Sequence, residues 1–450
     1  MSDFKVGFGR VNITPDFPAP LDSFGNPLLR IHDRVLSEIY YTAVAITDEN
    51  DKTLLLTTYD ITQCRVDIRE EIAKRLQDEC GIDPDYFHLS GTHTHSSIAV
   101  YIDLPEVKAY RESLIEKGVM ACKAAISDQK PAEIYVGETK VEGLNFVRHY
   151  MREDGTITGD NYGYISKAKS FKHMTKADDS LRIIKFVRTQ DDNSEAKDIV
   201  LVNWQAHNHL TGGQKKTDLS ADYSGAIRSW LESEHNCFVA FFQGCAGNLN
   251  EKSRITRENR TTNYLEYGRL ISEYINEIYD NEKLKKIPSG KVVSIKENIK
   301  VKVNREGLDR LADAQKIKDY RTKHGTTPEL KQMAVDMGFH SPAHAAGIVA
   351  RSKIEEDYIE IPLRVYKAGD VAFSAAPFEM FGKTGKEIRE ASPFPFTFSQ
   401  GYTDANYYYL PTDESFEYGC YEVDTTRYVR GTAEQVRDKI IEMLNKLKDM

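Results

Sequence analysis

The chain has 450 residues, 40% of them hydrophobic, and its 60 Lys and Arg stand against 69 Asp and Glu for a net charge of −9. A chain of this length with that apolar share can bury a sizeable core, which excludes disorder as its organisation. The acidic balance and the lack of any basic run exclude a nucleic-acid footprint and a polybasic membrane anchor.

No stretch of about 20 apolar residues is available to span a bilayer, and Met1 to Arg10 lack the apolar centre of a signal peptide. A cytoplasmic protein with no transmembrane segment and no nucleic-acid partner is expected. Cys64, Cys80, Cys122, Cys237, Cys245 and Cys420 lie far apart with no Cys-x-x-Cys. Reduced, mostly buried thiols are therefore expected, rather than a disulfide scaffold or a thiolate zinc site.

In chain order, Tyr40 to Ile46 and Thr53 to Thr58 predict a hairpin that ends at Tyr59 and Asp60. Ile68, Ile72 and Leu76 recur every four residues up to Gly81, the pattern of an amphipathic helix closed by a glycine. Tyr86 to Leu89 reads as a strand running into Ser-Gly-Thr-His-Thr-His-Ser-Ser, so a histidine cluster sits at a strand end. Further helices are predicted over Val107 to Ile126, Ser224 to Ser233, Tyr264 to Tyr279, Leu308 to Tyr320 and Ala433 to Leu447, the last opened by a Thr432/Gln435 capping box. Strands are predicted at Ile199 to Trp204, Phe238 to Phe242, Val292 to Val303, Ile359 to Tyr366 and Val371 to Ala375. The stretch from Tyr320 to Pro342 is polar and reads as a surface excursion. The class is α/β, with mixed sheets flanked by helices.

The 12 histidines include two His-x-His pairs, His93/His95 and His207/His209. Neutral imidazole is a common nitrogen ligand for zinc, and alternate residues of an extended segment point the same way, so two strand-end pairs can converge on one ion. Read alone, each pair serves equally well as hydrogen-bonded loop histidines. Glu379 follows the apolar run Val371 to Ala376 and a proline, which delivers a carboxylate past a buried strand or caps a helix starting near Gly382. Walker A, Rossmann, Gly-x-Ser-x-Gly and His-Glu-x-x-His signatures are absent, leaving a dispersed site.

An ordered set of motifs carries a resemblance. Gly-Phe-Gly-Arg-Val-Asn-Ile-Thr-Pro (7–15), Ile-His-Asp-Arg (31–34), Ser-Gly-Thr-His-Thr-His-Ser (90–96), Asn-Phe-Val-Arg (145–148), Asn-Trp-Gln-Ala-His (203–207), Ser-Ala-Asp-Tyr-Ser-Gly (220–225), Ala-Pro-Phe-Glu (376–379) and Gly-Tyr-Thr-Asp-Ala-Asn-Tyr-Tyr-Tyr (401–409) resemble the catalytic domain of the neutral/alkaline non-lysosomal ceramidases. The resemblance implies a single catalytic domain over 1–450 and one zinc ion held by His93, His207, Glu379 and Tyr409, with His209 the alternative to His207. Tyr409 ends a run of three tyrosines and would otherwise read as packing. The resemblance also places His95, Arg148 and Tyr421 around the scissile amide. Arg148 and Tyr421 would stabilise an oxyanion, and His95 would pass a proton to the leaving amine.

The implied activity is zinc-dependent hydrolysis of an N-acyl or ceramide-like amide by water, with a small-molecule or lipid-like substrate and a place in sphingolipid metabolism. Two departures qualify it. The family's Gly-Asp-Val-Ser-Pro-Asn loop corresponds to Gly247-Asn248-Leu249-Asn250-Glu251, with Asn250 at the serine position. The family's β-rich C-terminal domain has no counterpart after Tyr421, so a smaller, more polar substrate is expected at least as much as ceramide. The alternatives are a non-catalytic small-molecule or lipid-binding relative, and a metal-dependent phosphoesterase in which Asp60 helps to hold a second ion.

Overall fold

A computed structural model of the chain describes residues 4–155, 157–159, 171–189, 196–212, 216–251 and 263–450. Its largest sheet runs in the order Cys237–Gln243, Asp198–Trp204, Ser180–Arg188, Lys130–Lys140, Phe4–Asn12, Tyr40–Thr47, Thr53–Tyr59 and Phe87–Gly91, with Lys285–Ile287 added on Lys130–Lys140. Only the outermost pair at each end is parallel. The sheet curls until its edge strands approach, with the rings of His88 and Phe242 at 5.9 Å. A second sheet orders Val292–Lys302, Tyr358–Ala368, Val371–Ala375 and Phe396–Gln400, its last pair parallel.

Strand alternation sorts the apolar residues into layers. Val44, Ile46, Leu54 and Leu56 share a core with Tyr366, Val371, Phe373 and Phe398 of the second sheet. Tyr41, Ala43, Ala45 and Leu55 face the opposite way, onto Ile68, Ile72 and Leu76 of helix Val66–Cys80 and Leu114 and Val119 of helix Pro105–Ser127. The outer face of the second sheet is covered by Ile388 of helix Gly382–Glu390 and by Val436, Ile440 and Leu444 of helix Thr432–Lys448. The architecture is thus helices, large sheet, small sheet, helices, the mixed α and β class expected.

Phe4–Asn12 was not among the predicted strands, because Gly7 and Gly9 interrupt its apolar pattern. Both glycines let helix Pro105–Ser127 lie directly on the strand: a Cβ at Gly7 would fall 2.0 Å from the Ala125 carbonyl oxygen, and one at Gly9 equally close to that of Ala121. Helix Leu311–His324 answers the predicted Leu308 to Tyr320, but the stretch expected as a surface excursion after it folds instead, into helix Pro328–Asp336 and the start of Pro342–Arg351, and the three helices pack around Ala314, Ile317, Leu330, Ala334 and Ile348. Thr327-Pro328 and Ser341-Pro342 start the last two, each hydroxyl capping its helix. The Thr432/Gln435 capping box does not form. Gly431 takes the cap position in left-handed backbone, and the Thr432 hydroxyl donates backwards to the Val429 carbonyl at 2.7 Å.

All six cysteines are free, five of them buried. No helix among the described residues is long and apolar enough to cross a membrane.

Candidate metal centre

Loops that follow five of these strands meet at one place: those after Phe87–Gly91, Asp198–Trp204 and Cys237–Gln243 of the large sheet, and after Val371–Ala375 and Phe396–Gln400 of the small one. Isolated bridges tie them together, Thr94 to Asn208, Ser90 to Thr403 and Gly244 to Gln400. The Asn208 side-chain amide also donates to the Thr92 and Ala221 carbonyls and to the Ser224 hydroxyl, locking the two histidine segments.

Each inward imidazole is oriented by main chain. His93 Nδ1 lies 2.8 Å from the Thr62 carbonyl, and His207 Nδ1 lies 2.8 Å from that of Ala246 and 3.2 Å from that of Leu249. A carbonyl only accepts, so both Nδ1 atoms carry the proton and both Nε2 atoms turn inward. His93 sits in left-handed backbone at φ 59°, a strain of about 1–3 kcal/mol that its fixed surroundings hold in place.

Glu379 closes the group. Its Oε2 lies 3.4 Å from His93 Nε2 and 3.6 Å from His207 Nε2, and strand Glu379–Met380 pairs in parallel with Tyr409–Leu410, Glu379 beside Tyr409. Burial pushes the His207 imidazole down to about 3, with Arg148 adding to the shift. A neutral His207 thus turns a lone pair toward a carboxylate. His207 Nε2 and Glu379 Oε2 are buried without a hydrogen-bond partner, an arrangement of two acceptors that a cation resolves. Donors bound tetrahedrally at zinc distances stand about 3.3 Å apart, close to the spacing seen here. The residues fit a zinc-type ion, and among the described residues the donor atoms of His93, His95 and His207 lie within 4.8 Å of one another.

His207, not His209, is the histidine that faces Glu379. The His209 ring turns away, its Nδ1 at 2.8 Å from Glu251 Oε2. His95 Nε2 lies 3.1 Å from His93 Nε2. Its pKa is driven well below the ordinary histidine value by burial and then by the surrounding imidazoles, so in the protein without an ion it is neutral at physiological pH.

Arg148 and Tyr421 pack around Tyr409, the residue beside Glu379. Arg148 is buried and held by Glu422 Oε1, at 2.6 Å from Nε and 2.5 Å from Nη2, and by the Gly247 carbonyl at 2.8 Å. Its guanidinium carbon lies 5.5 Å from the Tyr409 ring centre and 5.8 Å from that of Tyr421, and the two rings meet edge to face at 5.5 Å. Burial raises both phenols, Tyr409 further through Glu379, so both hold their protons at neutral pH in the protein without an ion.

The departing loop is a backbone scaffold. Leu249–Asn250 pairs antiparallel with Phe146–Val147, Arg148 N–H donates to the Asn248 carbonyl, and His207 N–H donates to that of Leu249. Gly247 lies so near the glutamate strand that a Cβ there would fall 2.3 Å from the Glu379 carbonyl oxygen. The cavity against Glu379, lined by Thr62, Gln63, His93, Tyr402 and Asn406 among others, measures about 10 Å³, room for about one water.

Solved structures supply a likeness. The neutral ceramidase from Pseudomonas aeruginosa superimposes with a TM-score of 0.73 at 15% identity, over 100% of this chain and 75% of that one. The chain has the neutral ceramidase fold. A ceramidase complexed with C2 matches with a TM-score of 0.71 at 14% identity, over 100% and 76%. No family model and no curated protein matches the sequence.

On this ceramidase fold, Asp60 is not a metal donor. Its carboxylate accepts from Arg228 Nη2 at 2.9 Å and from the Tyr40 N–H at 2.9 Å, so the two-metal reading loses its extra ligand. Sequence reasoning missed two residues. Glu422 anchors both Arg148 and His149, whose Nε2 is 2.9 Å away. Tyr402 packs against His93, the rings tilted by 37° with centres 4.1 Å apart. Both lie inside or beside quoted motifs, but nothing local in the sequence marks their role.

Proposed function

We propose that this chain is a zinc-dependent hydrolase that cleaves the amide bond of an N-acyl or ceramide-like substrate. One ion would be held by His93, His207, Glu379 and Tyr409. The observation that carries the reading is the convergence of two tautomer-locked Nε2 atoms on the buried, unpartnered Glu379 oxygen. When bound, the ion supplies Lewis acidity, which activates water and polarises a carbonyl near neutral pH.

The chain's own residues divide the rest. Arg148, fixed by Glu422 and Gly247, presents a positive charge that cannot swing away, and Tyr421 adds a hydroxyl that stays protonated; together they stabilise the oxygen of a tetrahedral intermediate. His95, two residues from the ligand His93 and neutral at rest, takes a proton from the attacking water and hands it on to the departing amine. Asn250 offers no nucleophile, so water attacks directly and no acyl-enzyme forms. The water-sized cavity against Glu379 supports that route.

The test is turnover of a panel of fluorogenic N-acyl amides running from acetyl to long-chain ceramide, alongside metal counting. Hydrolysis that is lost on chelation, restored by zinc, and absent in Glu379→Ala with one ion fewer per chain is expected. A chelator-resistant activity, or a Glu379→Ala protein with wild-type metal content, would overturn the assignment.

A further inference from the structure

A second group of metal-capable side chains lies on the three-helix insert. His340 and His344 flank Ser341, the residue that caps helix Pro342–Arg351, and their rings lie face to face with centres 4.6 Å apart. Asp424, from helix Tyr421–Thr425, points at them; it is 5% exposed, with Oδ1 3.4 Å from His340 Nδ1 and Oδ2 3.3 Å from the Ser341 hydroxyl. The donor atoms of the three residues all lie within 4.8 Å of one another.

The seam between the two helices is rigid. Gly347 packs against the Asp424 backbone so closely that a Cβ would fall 2.0 Å from its carbonyl oxygen, and Arg351 Nη1 donates to the Asp424 and Thr426 carbonyls at 3.2 and 3.3 Å. His340, by contrast, is 70% exposed at its side chain, so the group opens to solvent on one side. Another histidine-containing group, His149, Cys420 and Glu422, has no such opening, and Arg148 and His149 already occupy both Glu422 oxygens.

We propose that His340, His344 and Asp424 bind a second divalent transition-metal ion, with water completing its coordination on the exposed side. Two imidazole nitrogens and one carboxylate select Zn²⁺, Co²⁺ or Ni²⁺ over Mg²⁺ or Ca²⁺. The His340 to Asp424 separation of 3.4 Å is close to the roughly 3.3 Å between donors around a tetrahedral zinc. Such an ion clamps the insert to the helix that carries Tyr421 and Glu422, and so steadies one wall of the candidate centre from outside it. The site stands independently of the catalytic reading.

The experiment is zinc titration of untagged, metal-stripped protein by calorimetry, with bound metal counted after gel filtration and folding checked by circular dichroism. Wild type is expected to hold two ions, His340→Ala/His344→Ala one, and His93→Ala/Glu379→Ala one. Should the double variant fail to fold, His340→Gln, at an exposed position, is expected to weaken the second ion by more than the roughly 10–100-fold that loss of an outer-shell partner causes. A His340→Ala/His344→Ala protein with wild-type stoichiometry overturns the proposal. So does a wild-type protein whose single ion is lost in His93→Ala/Glu379→Ala. One ion that survives that change and is lost in the His340 variant upholds this site and defeats the proposed function instead.

Discussion

Glu422→Gln is the most informative single change, because it removes one charge from a fully buried pair while keeping the side-chain shape. Glu422 is 0% exposed and Arg148 is 4% exposed. With charge centres about 4 Å apart and an effective dielectric near 20, their attraction is about 4 kcal/mol. Breaking a buried pair from one side leaves an uncompensated charge and destabilises by about 3–5 kcal/mol. The amide still accepts one hydrogen bond, which places Glu422→Gln near the lower end, about 3 kcal/mol. Urea unfolding followed by the fluorescence of buried Trp204 reads it as a shift in midpoint at constant slope. Replacing both partners, Arg148→Met/Glu422→Met, is expected to recover most of that loss while remaining inactive, which separates the stability of the pair from its catalytic use. The pH dependence follows the same pair. Burial alone would raise the Glu422 carboxyl, but Arg148 and His149 hold it well below its usual range. Its stabilisation is therefore fully present above its unfolded value of about 4.3 and drains away as pH falls toward the folded value. A Glu422→Gln protein that loses under about 1 kcal/mol, or a double variant less stable than the single one, would refute the reasoning.

Further outcomes are expected. His207→Gln should lose the ion bound beside Glu379 whereas His209→Gln should keep it, as read by metal content after gel filtration. Gly247→Ala should destabilise by at least about 1–3 kcal/mol and weaken zinc in calorimetry, because the added methyl meets the Glu379 backbone rather than a movable side chain. Asn250→Ser should leave the steady-state rate within a few-fold and give no acyl-enzyme burst, since the loop acts through its backbone. Asp404 is buried, accepts from Arg364 at 3.0 Å and is held below the usual carboxylate range because Arg364 and Arg69 outweigh its burial. Asp404→Asn should cost about 3 kcal/mol at neutral pH and flatten the loss of stability that wild type shows below about pH 4 in acid unfolding.

Tyr40–Thr47 and Thr53–Tyr59 were legible as short runs of apolar and β-branched residues, continuous because both faces of each strand are buried, one in each core layer. Phe4–Asn12 was hidden because Gly7 and Gly9 serve helix packing rather than apolar burial. Of the three-helix insert, Leu311–His324 was legible, whereas Pro328–Asp336 and Pro342–Arg351 were hidden because the small core leaves most of their residues polar. At the candidate centre the two His-x-His pairs stood out as strand-end clusters, but spacing could not say which histidine of the second pair turns inward. That choice is made by the Ala246 and Leu249 carbonyls and by Glu251, all distant in sequence from His207 and His209. Glu422 was illegible for the same reason: a carboxylate becomes an anchor only once folding delivers Arg148 and His149 to it.

The main-chain grip on His93 and His207 sets the order of assembly. Thr62 and Ala246 lie in loops that lead from strands of the large sheet, and Leu249 lies in a strand paired with Phe146–Val147, so the two rings acquire their tautomer and direction from chain folding alone. Small zinc modules must capture their ion in order to fold. This scaffold would instead complete itself empty and be charged afterwards, with little reorganisation left for the ion to drive. Stripping and reloading should then be repeatable without unfolding, and activity would track metal supply on the timescale of binding rather than of synthesis.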